Sequence, residues 1–322
     1  MQPSSRSTVV ITGASSGIGY ACALAFAREG ANVVLAARDP DALERAAQAC
    51  RQQGASALAV PTDVTEPEQV QALAARAAEQ FGRIDVWINN VGTGAVGRFD
   101  QVPVRAHRRV IEANLLGHVY GSHAVLPQFR RQGRGVLINM ISVGGWAAAP
   151  YAASYAASKF GLRGFSESLR AELADEPGVA VCEVYPTFVD TPGVRHGANY
   201  SGKHLRPPPP MLDPREVADA VVTLARNPRP SLLLGSIAWP TRLAHAVAPD
   251  LSASITRRIM DAGFRAADPE AMTDGNLYMP SSGHAIDGGF RGQRSPAMAT
   301  AIKAAALAVA ALALHRAMSG RR

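Results

Sequence analysis

Short apolar runs alternate with longer amphipathic stretches along most of this chain. Thr8–Thr12 is apolar and β-branched and ends at a glycine-rich turn, which predicts a buried parallel strand. Ile18–Glu29 then reads as a helix stopped by Gly30. The same unit recurs: a strand over Asn32–Ala37 with a helix over Pro40–Gln53, then a strand over Ala57–Thr62 with a helix over Glu66–Phe81. A fourth strand is predicted at Ile84–Asn89, a long helical stretch at Val102–Gln132 and a fifth strand at Gly135–Ile141. A helix over Ser154–Ala174 and a sixth strand over Val179–Tyr185 follow. Asp213 caps a helix running to Ala225, and Ser231–Gly235 is the seventh strand. Each crossover is long enough for a helix, so the strands run parallel with helices on both faces. Near-continuous apolar strands fit burial on both sides.

Two regions break this rhythm. Pro186–Leu212 is rich in Gly and Pro and contains Pro207-Pro208-Pro209-Pro210, which excludes helix interior and central strand. It reads as a mobile loop over the substrate. After Trp239 the alternation stops: Thr241–Ala267 reads as helical with a break at Pro249, and Asp268–Ser295 as irregular. Ala297–Met318 is an Ala-rich helix. The expected organisation is α/β, a doubly wound seven-stranded parallel sheet over 1–236. An extension over 237–296 and a final helix over 297–322 complete it.

Composition narrows the function classes. The three cysteines are few and scattered, which fits a reducing, cytoplasmic compartment and no disulfide framework. No Cys/His cluster has metal-ligand spacing, so no metal is expected. The net charge of +7 comes from arginines spread through Arg105–Arg109, Arg130–Arg134, Arg257–Arg258 and the C-terminus, and reads as a solvated surface. Nucleic-acid binding calls for a denser stripe interleaved with aromatics, and only 6% of the chain is aromatic. Ala304–Leu314 is an apolar run of eleven residues, whereas a spanning helix needs about 20. Docking on the protein or a partner is the favoured fate of 297–322. Attachment at a membrane surface, peripheral or as a tail anchor on the inner face, is the other.

The candidate chemistry begins at Thr12-Gly13-Ala14-Ser15-Ser16-Gly17-Ile18-Gly19. Glycines between a strand and a helix let the backbone approach a pyrophosphate, and the helix N-terminus behind favours negative charge. An acidic residue at the end of the second strand would bond the adenosine ribose and repel a 2′-phosphate. Ala37 is instead followed by Arg38, whose planar fork suits phosphate, and Ser15 or Ser16 adds a hydroxyl. NADP is therefore expected over NAD, with Asp39 as the competing signal.

Together with Asp63-Val64, Asn89-Asn90-Val91-Gly92, Asn114, Ser142, Tyr155-x-x-x-Lys159 and Pro186-Thr187-Phe188-Val189-Asp190-Thr191, these motifs closely resemble the short-chain dehydrogenase/reductase superfamily over roughly residues 6–236. The resemblance implies a single Rossmann-type domain. It implies that Asp63 and Val64 meet the adenine and that Asn90 and Gly92 line the cleft. Pro186, Val189 and Thr191 would lie beside the nicotinamide. Many family members carry a Val-Asp-Gly-Gly segment after the last strand that helps subunits pair. Here the similar Ile286-Asp287-Gly288-Gly289 comes much later and is read as coincidence, so the usual tetramer is not carried over and a homo-oligomer stays open.

Tyrosine ionises near pH 10, too high for a general base at neutral pH. Lys159 lies one helical turn beyond Tyr155, and its ammonium is expected to lower the phenol's pKa. In reduction Tyr155 gives its proton to the carbonyl oxygen, while Ser142 holds that oxygen. Lys159 also holds the nicotinamide ribose, and by resemblance Asn114 positions a water for proton supply. The loop carries Arg195, His196, Lys203, His204 and Arg206, read as a solvated basic lid in preference to an anion site. Phe188, Trp146, Tyr151 and Met211 could supply apolar walls. The expected function is NADP(H)-dependent hydride transfer with a small-molecule carbonyl or alcohol, a lipophilic ketone or aldehyde. The alternatives are an NAD-dependent alcohol dehydrogenase and a non-catalytic NADP-sensing scaffold.

Overall fold

The computed structural model describes residues 6–281 and 284–291. In chain order its elements begin β1 (Thr8–Thr12), α1 (Gly17–Arg28), β2 (Asn32–Ala37), α2 (Pro40–Gln52), β3 (Ala57–Pro61), α3 (Pro67–Phe81) and β4 (Val86–Asn89). Next come β5 (Ala95–Val96), α4 (Val104–Ile111), α5 (Gly117–Gln132), β6 (Gly135–Met140), α6 (Ala153–Glu172) and β7 (Val179–Pro186). The described chain is completed by α7 (Gly193–His196), β8 (Ala198–Asn199), α8 (Pro214–Arg226), β9 (Ser231–Leu234), α9 (Ala238–Val247) and α10 (Pro249–Ala266).

Seven strands form one parallel sheet in the order β3-β2-β1-β4-β6-β7-β9. Successive strands move outward from β1 in both directions, so a crevice opens at the carboxyl ends of β1 and β4. Side-chain alternation divides the core between the two faces. Val9 and Ile11 of β1 pack with Ala21, Phe26, Val217 and Val221 under α1 and α8. Val10 packs with Val70, Leu73, Val125 and Phe129 under α3 and α5. Local chemistry sets the helix ends. Asp39 caps α2 by accepting from the Asp41 and Ala42 amides, and Asp213 caps α8 by accepting from that of Arg215. Gly82 and Gly133 end α3 and α5 in the left-handed conformation.

The strands and most helices lie where the hydrophobic pattern places them. The stretch predicted as one helix over 102–132 is α4 and α5 joined by a π-helical turn at Glu112–Leu116, which contains Asn114. Such turns arise where a side chain must be presented out of α-helical register. The loop predicted over 186–212 contains α7 and β8, and β8 pairs in parallel with β5. The irregular segment after Ala267 packs back onto the sheet domain, with antiparallel bridges Asn199↔Thr273 and Lys203↔Pro269.

Ile286-Asp287-Gly288-Gly289, read from sequence as coincidence, is a built contact. Ile286 packs on the α1–α8 core, and the Gly288 amide donates to Asp190 O at 3.1 Å. A Cβ on Gly288 would lie 2.4 Å from Thr191 O, so only glycine fits there. The helix predicted over 297–318 and its membrane fate lie outside the described residues. Among the described residues no helix is long and apolar enough to cross a membrane.

Candidate active site

The crevice is built around the β1–α1 turn. Gly13 has φ +66°, and a Cβ on Gly19 would stand 2.2 Å from Gly13 O, so the turn closes only with glycine at both positions. The end of β4 braces it. Asn90 Nδ2 donates to Thr12 O at 3.0 Å and Gly13 O at 3.3 Å, and Thr12 Oγ1 accepts from the Asn90 amide at 3.0 Å. Ser16 precedes α1 in an extended conformation, and its hydroxyl makes no capping bond to the helix. The resulting cleft holds about 1080 Å3 counting its open mouth. Gly13, Ser15, Ser16, Gly17, Ile18, Arg38, Asp63, Val64, Asn90, Gly92 and Thr191 all line it.

At the far end of the cleft, Arg38 leaves β2 and donates to Asn276 O at 2.6 Å and Leu277 O at 3.3 Å. Asp39 also lines the cleft, with one carboxylate oxygen accepting from the Asp41 and Ala42 amides at the N-terminus of α2. Asp63 accepts from Thr65 N at 3.0 Å and Thr65 Oγ1 at 2.8 Å, and its other oxygen pairs with Arg109 Nη2 at 2.6 Å. Burial pushes the Asp63 carboxyl up, but these bonds outweigh it and hold the group below its ordinary value. Arg109, in the run read as solvated surface, is mostly buried and lines the cleft.

Ser142, Tyr155 and Lys159 come together beside Gly92. Ser142 follows β6 with φ +137°, a strained conformation for a non-glycine residue, and its Oγ accepts from the Gly144 amide at 3.1 Å. Its hydroxyl and the Tyr155 ring both lie against Gly144, 3.6 Å and 3.1 Å from where a Cβ on that residue would stand. A Cβ on Gly144 would lie 3.1 Å from the Tyr155 ring, so glycine lets the ring lie against the loop. Lys159 is 3% exposed, and its Nζ donates to Met140 O at 2.9 Å. It lies 5.9 Å from the Tyr155 ring centre. Burial lowers Lys159 to about 7. Burial also raises the Tyr155 phenol, and the Ser142 hydrogen bond offsets only part of that. The direction is therefore opposite to the expected lowering: desolvation exceeds the opposing effect of Ser142, and Lys159 contributes no lowering.

Asn114 is fully buried by the π-helical turn. Its Oδ1 accepts from Thr93 N at 2.8 Å, and its Nδ2 donates to Thr93 O at 2.8 Å and Ser158 Oγ at 3.1 Å. It ties the strand after Gly92 to the turn of α6 that carries Lys159. Pro186 ends β7 and Val189 is buried in a bridge to Leu212. Neither lines the cleft; Val189 O accepts from the amide of Thr191, which does. Sequence reading does not assign Thr93, Arg109, His196, Asn276, Leu277 and Ser281 to the cofactor cleft, which they also line. From sequence, His196 reads only as part of a basic lid, and Arg109 only as part of a solvated run.

On the substrate side the basic groups of the loop are bonded to protein. Arg195 stacks over Phe290, His196 meets Ser281, Lys203 donates to Ala267 O and His204 pairs with Glu270. Trp146 lies between the guanidiniums of Arg163 and Arg242, at 3.6 Å and 3.9 Å. Tyr151 bonds Asp261 and meets Phe264 edge-on, which seats α10 against the loop between Ser142 and Tyr155. Phe188 is 40% exposed.

A sequence profile described as short chain dehydrogenase matches residues 7–199. The uncharacterized oxidoreductase YxnA of Bacillus subtilis (strain 168) is 36% identical, over 78% of this chain and 72% of that protein. Among solved structures, an alcohol dehydrogenase from the archaeon Thermococcus sibiricus complexed with 5-hydroxy-NADP aligns with a TM-score of 0.63 at 31% identity. That match covers 71% of this chain and 96% of the other. A variant of actinorhodin polyketide ketoreductase with NADPH aligns with a TM-score of 0.66 at 30% identity, over 73% of this chain and 97% of the other.

Proposed function

The chain belongs to the short-chain dehydrogenase family, whose members act on CH–OH groups, and from that premise we propose that it is an NADP(H)-dependent reductase of lipophilic ketones or aldehydes. The observation that carries this reading is the grouping of Tyr155 and Lys159 with Ser142 behind Gly92, itself a wall of a cleft whose other walls suit a dinucleotide.

The turn from Gly13 through Ser15, Ser16, Gly17 and Ile18 to Gly19 would hold the pyrophosphate at the N-terminus of α1. Asp63 and Val64 would meet the adenine. Asn90, Gly92, Pro186, Val189 and Thr191 would shape the nicotinamide end. Arg38 would read a 2′-phosphate, while the helix cap occupies one oxygen of the competing Asp39. A bound nicotinamide dinucleotide supplies the hydride.

The chain's own residues handle the proton. A Tyr155 phenol raised by burial stays protonated at neutral pH, which suits a general acid that gives its proton to the carbonyl oxygen. Ser142 donates to the same oxygen and stabilises its developing charge. Lys159, near 7, exchanges protons readily at neutral pH and replenishes Tyr155. Asn114 holds the Lys159 turn in register. Arg195 and Lys203 of the loop are engaged by the Phe290 ring and the Ala267 carbonyl, which favours an uncharged substrate, and the exposed ring of Phe188 offers it an apolar surface.

Parallel titration of NADPH and NADH tests the reading. Wild type should prefer NADPH, and Arg38→Asp should weaken NADPH far more than NADH. Tyr155→Phe should bind NADPH as wild type does and lose turnover of hydrophobic carbonyls. Equal losses for the two dinucleotides would remove the Arg38 assignment. Near-normal turnover by Tyr155→Phe would remove the mechanism.

A further inference from the structure

The stretch between Asp274 and Ser281 crosses the far end of the cleft, and its attachments are specific. Leu277 O receives two guanidiniums from different elements, Arg38 Nη1 at 3.3 Å from the end of β2 and Arg109 Nε at 2.9 Å from α4. Arg109 also binds Asp63 Oδ2 at 2.6 Å and the Thr65 hydroxyl. One side chain therefore joins the C-terminal segment to the carboxylate assigned to the adenine. The segment is firmly seated. Leu277 is buried among Ala95, Val102, Ala106, Val110 and Tyr200. Asn276 accepts from Thr93 Oγ1 at 2.8 Å, and its amide donates to His196 O at 2.7 Å.

We propose that residues 274–281 form a wall of the cofactor site and that Arg109 is the positioning residue that latches this wall to the adenosine end. The proposal rests on the dinucleotide reading given above. An arginine offers five N–H donors in a fixed plane. The strap carbonyls take some of those of Arg38 and fix the direction of the rest, so the guanidinium is oriented before a phosphate arrives. Arg109 holds the second oxygen of Asp63, whose first oxygen Thr65 already holds, and so completes the fixing of that carboxylate. Affinity is gained because neither group has to be ordered on binding. Arg109 bonds Leu277, Thr65 and Asp63 and none of Ser142, Tyr155 and Lys159, so the latch acts on binding and not on the proton transfer.

The test uses the full chain. Arg109→Ala and Arg109→Gln should raise the KM for NADPH about tenfold while kcat at saturating cofactor stays within about twofold, the pattern of lost uniform binding. Hydrogen exchange on the wild-type chain supplies the second reading. Amides of 274–281 should exchange more slowly with NADPH bound, and Arg109→Ala should lose that slowing. A lowered melting temperature with unchanged KM would overturn the proposal by making Arg109 purely structural. So would faster exchange of 274–281 on NADPH binding, because the strap would then leave as the cofactor enters. A wild-type chain that binds neither dinucleotide would sink the underlying reading and this inference with it. Normal NADPH binding with faster strap exchange would sink the inference alone.

Discussion

Lys159 is the residue whose environment most constrains the chemistry. It is buried with one carbonyl partner, Met140 O, and burial lowers it to about 7. A lysine that must be protonated to replenish Tyr155 loses that form as pH rises through its own pKa. NADPH-dependent reduction should therefore fall above about pH 7, measured as kcat against pH with the dinucleotide saturating. A rate that stays flat through that value would break the link between Lys159 and proton supply. Stability moves the other way. The unfolded lysine titrates near 10.4, so between the two values the unfolded chain holds the extra proton and stability rises with pH. Ser142, Tyr155 and Lys159 were legible from spacing because residue order alone carries that pattern. Arg109 was not, because its partners Asp63, Thr65 and Leu277 lie far from it in sequence. The direction of the Tyr155 shift was also hidden, since it depends on how deeply the phenol sits.

At the scale of elements, the described chain ends in a charge network that holds 284–291 against the loop after β7. Asp190 is almost fully buried and accepts from the Phe290 and Arg291 amides at 2.9 and 3.0 Å. Arg291 also pairs with Asp213 and with Asp287, at 2.8 Å for Asp287, and Arg215 reaches Asp287 at 2.7 Å. Hydrogen bonds from Arg215 hold Asp287 below its ordinary pKa. Burial pushes Asp213 up, but bonds from Arg215 and Arg291 leave it lowered as well. Carboxylates depressed in the folded state contribute stability above their unfolded pKa and lose it as pH falls through the folded value. Below about pH 4 the segment should therefore release while the sheet persists. Exchange of the Phe290 and Arg291 amides followed against pH checks this. Simultaneous loss of protection in β1 and β4 would mean that the network is not a separate latch. None of this was visible in the sequence. The β-α alternation carries a period, whereas two-residue strands such as β5 and β8 and a Gly-rich segment pinned by ion pairs have none.

For the molecule as a whole, the sheet and its two apolar faces were legible because burial on both sides imposes runs that turn residues interrupt. The role of the C-terminal extension was not legible, because its contacts are polar, distant and made largely by main-chain groups. That difference in bonding predicts a difference in dependence. Beyond Ala267 the described residues contribute two buried apolar side chains, Leu277 and Phe290, and only the partly buried Ile286 to the sheet-face clusters. At about 1.5–3 kcal/mol for each buried side chain, a chain ending at Ala267 should lose roughly 3–6 kcal/mol from apolar burial. Such a chain should keep the far-UV signature of an α/β sheet and a cooperative urea transition at a lower midpoint. It should also bind NADPH more weakly, because Arg38 and Arg109 lose the Leu277 carbonyl. Circular dichroism, urea titration and dinucleotide binding on the truncated chain separate these effects. A chain that fails to fold would make the extension part of the core. A chain that folds and binds NADPH as tightly as the full protein would reduce the extension to a cover with no hold on the site beneath it.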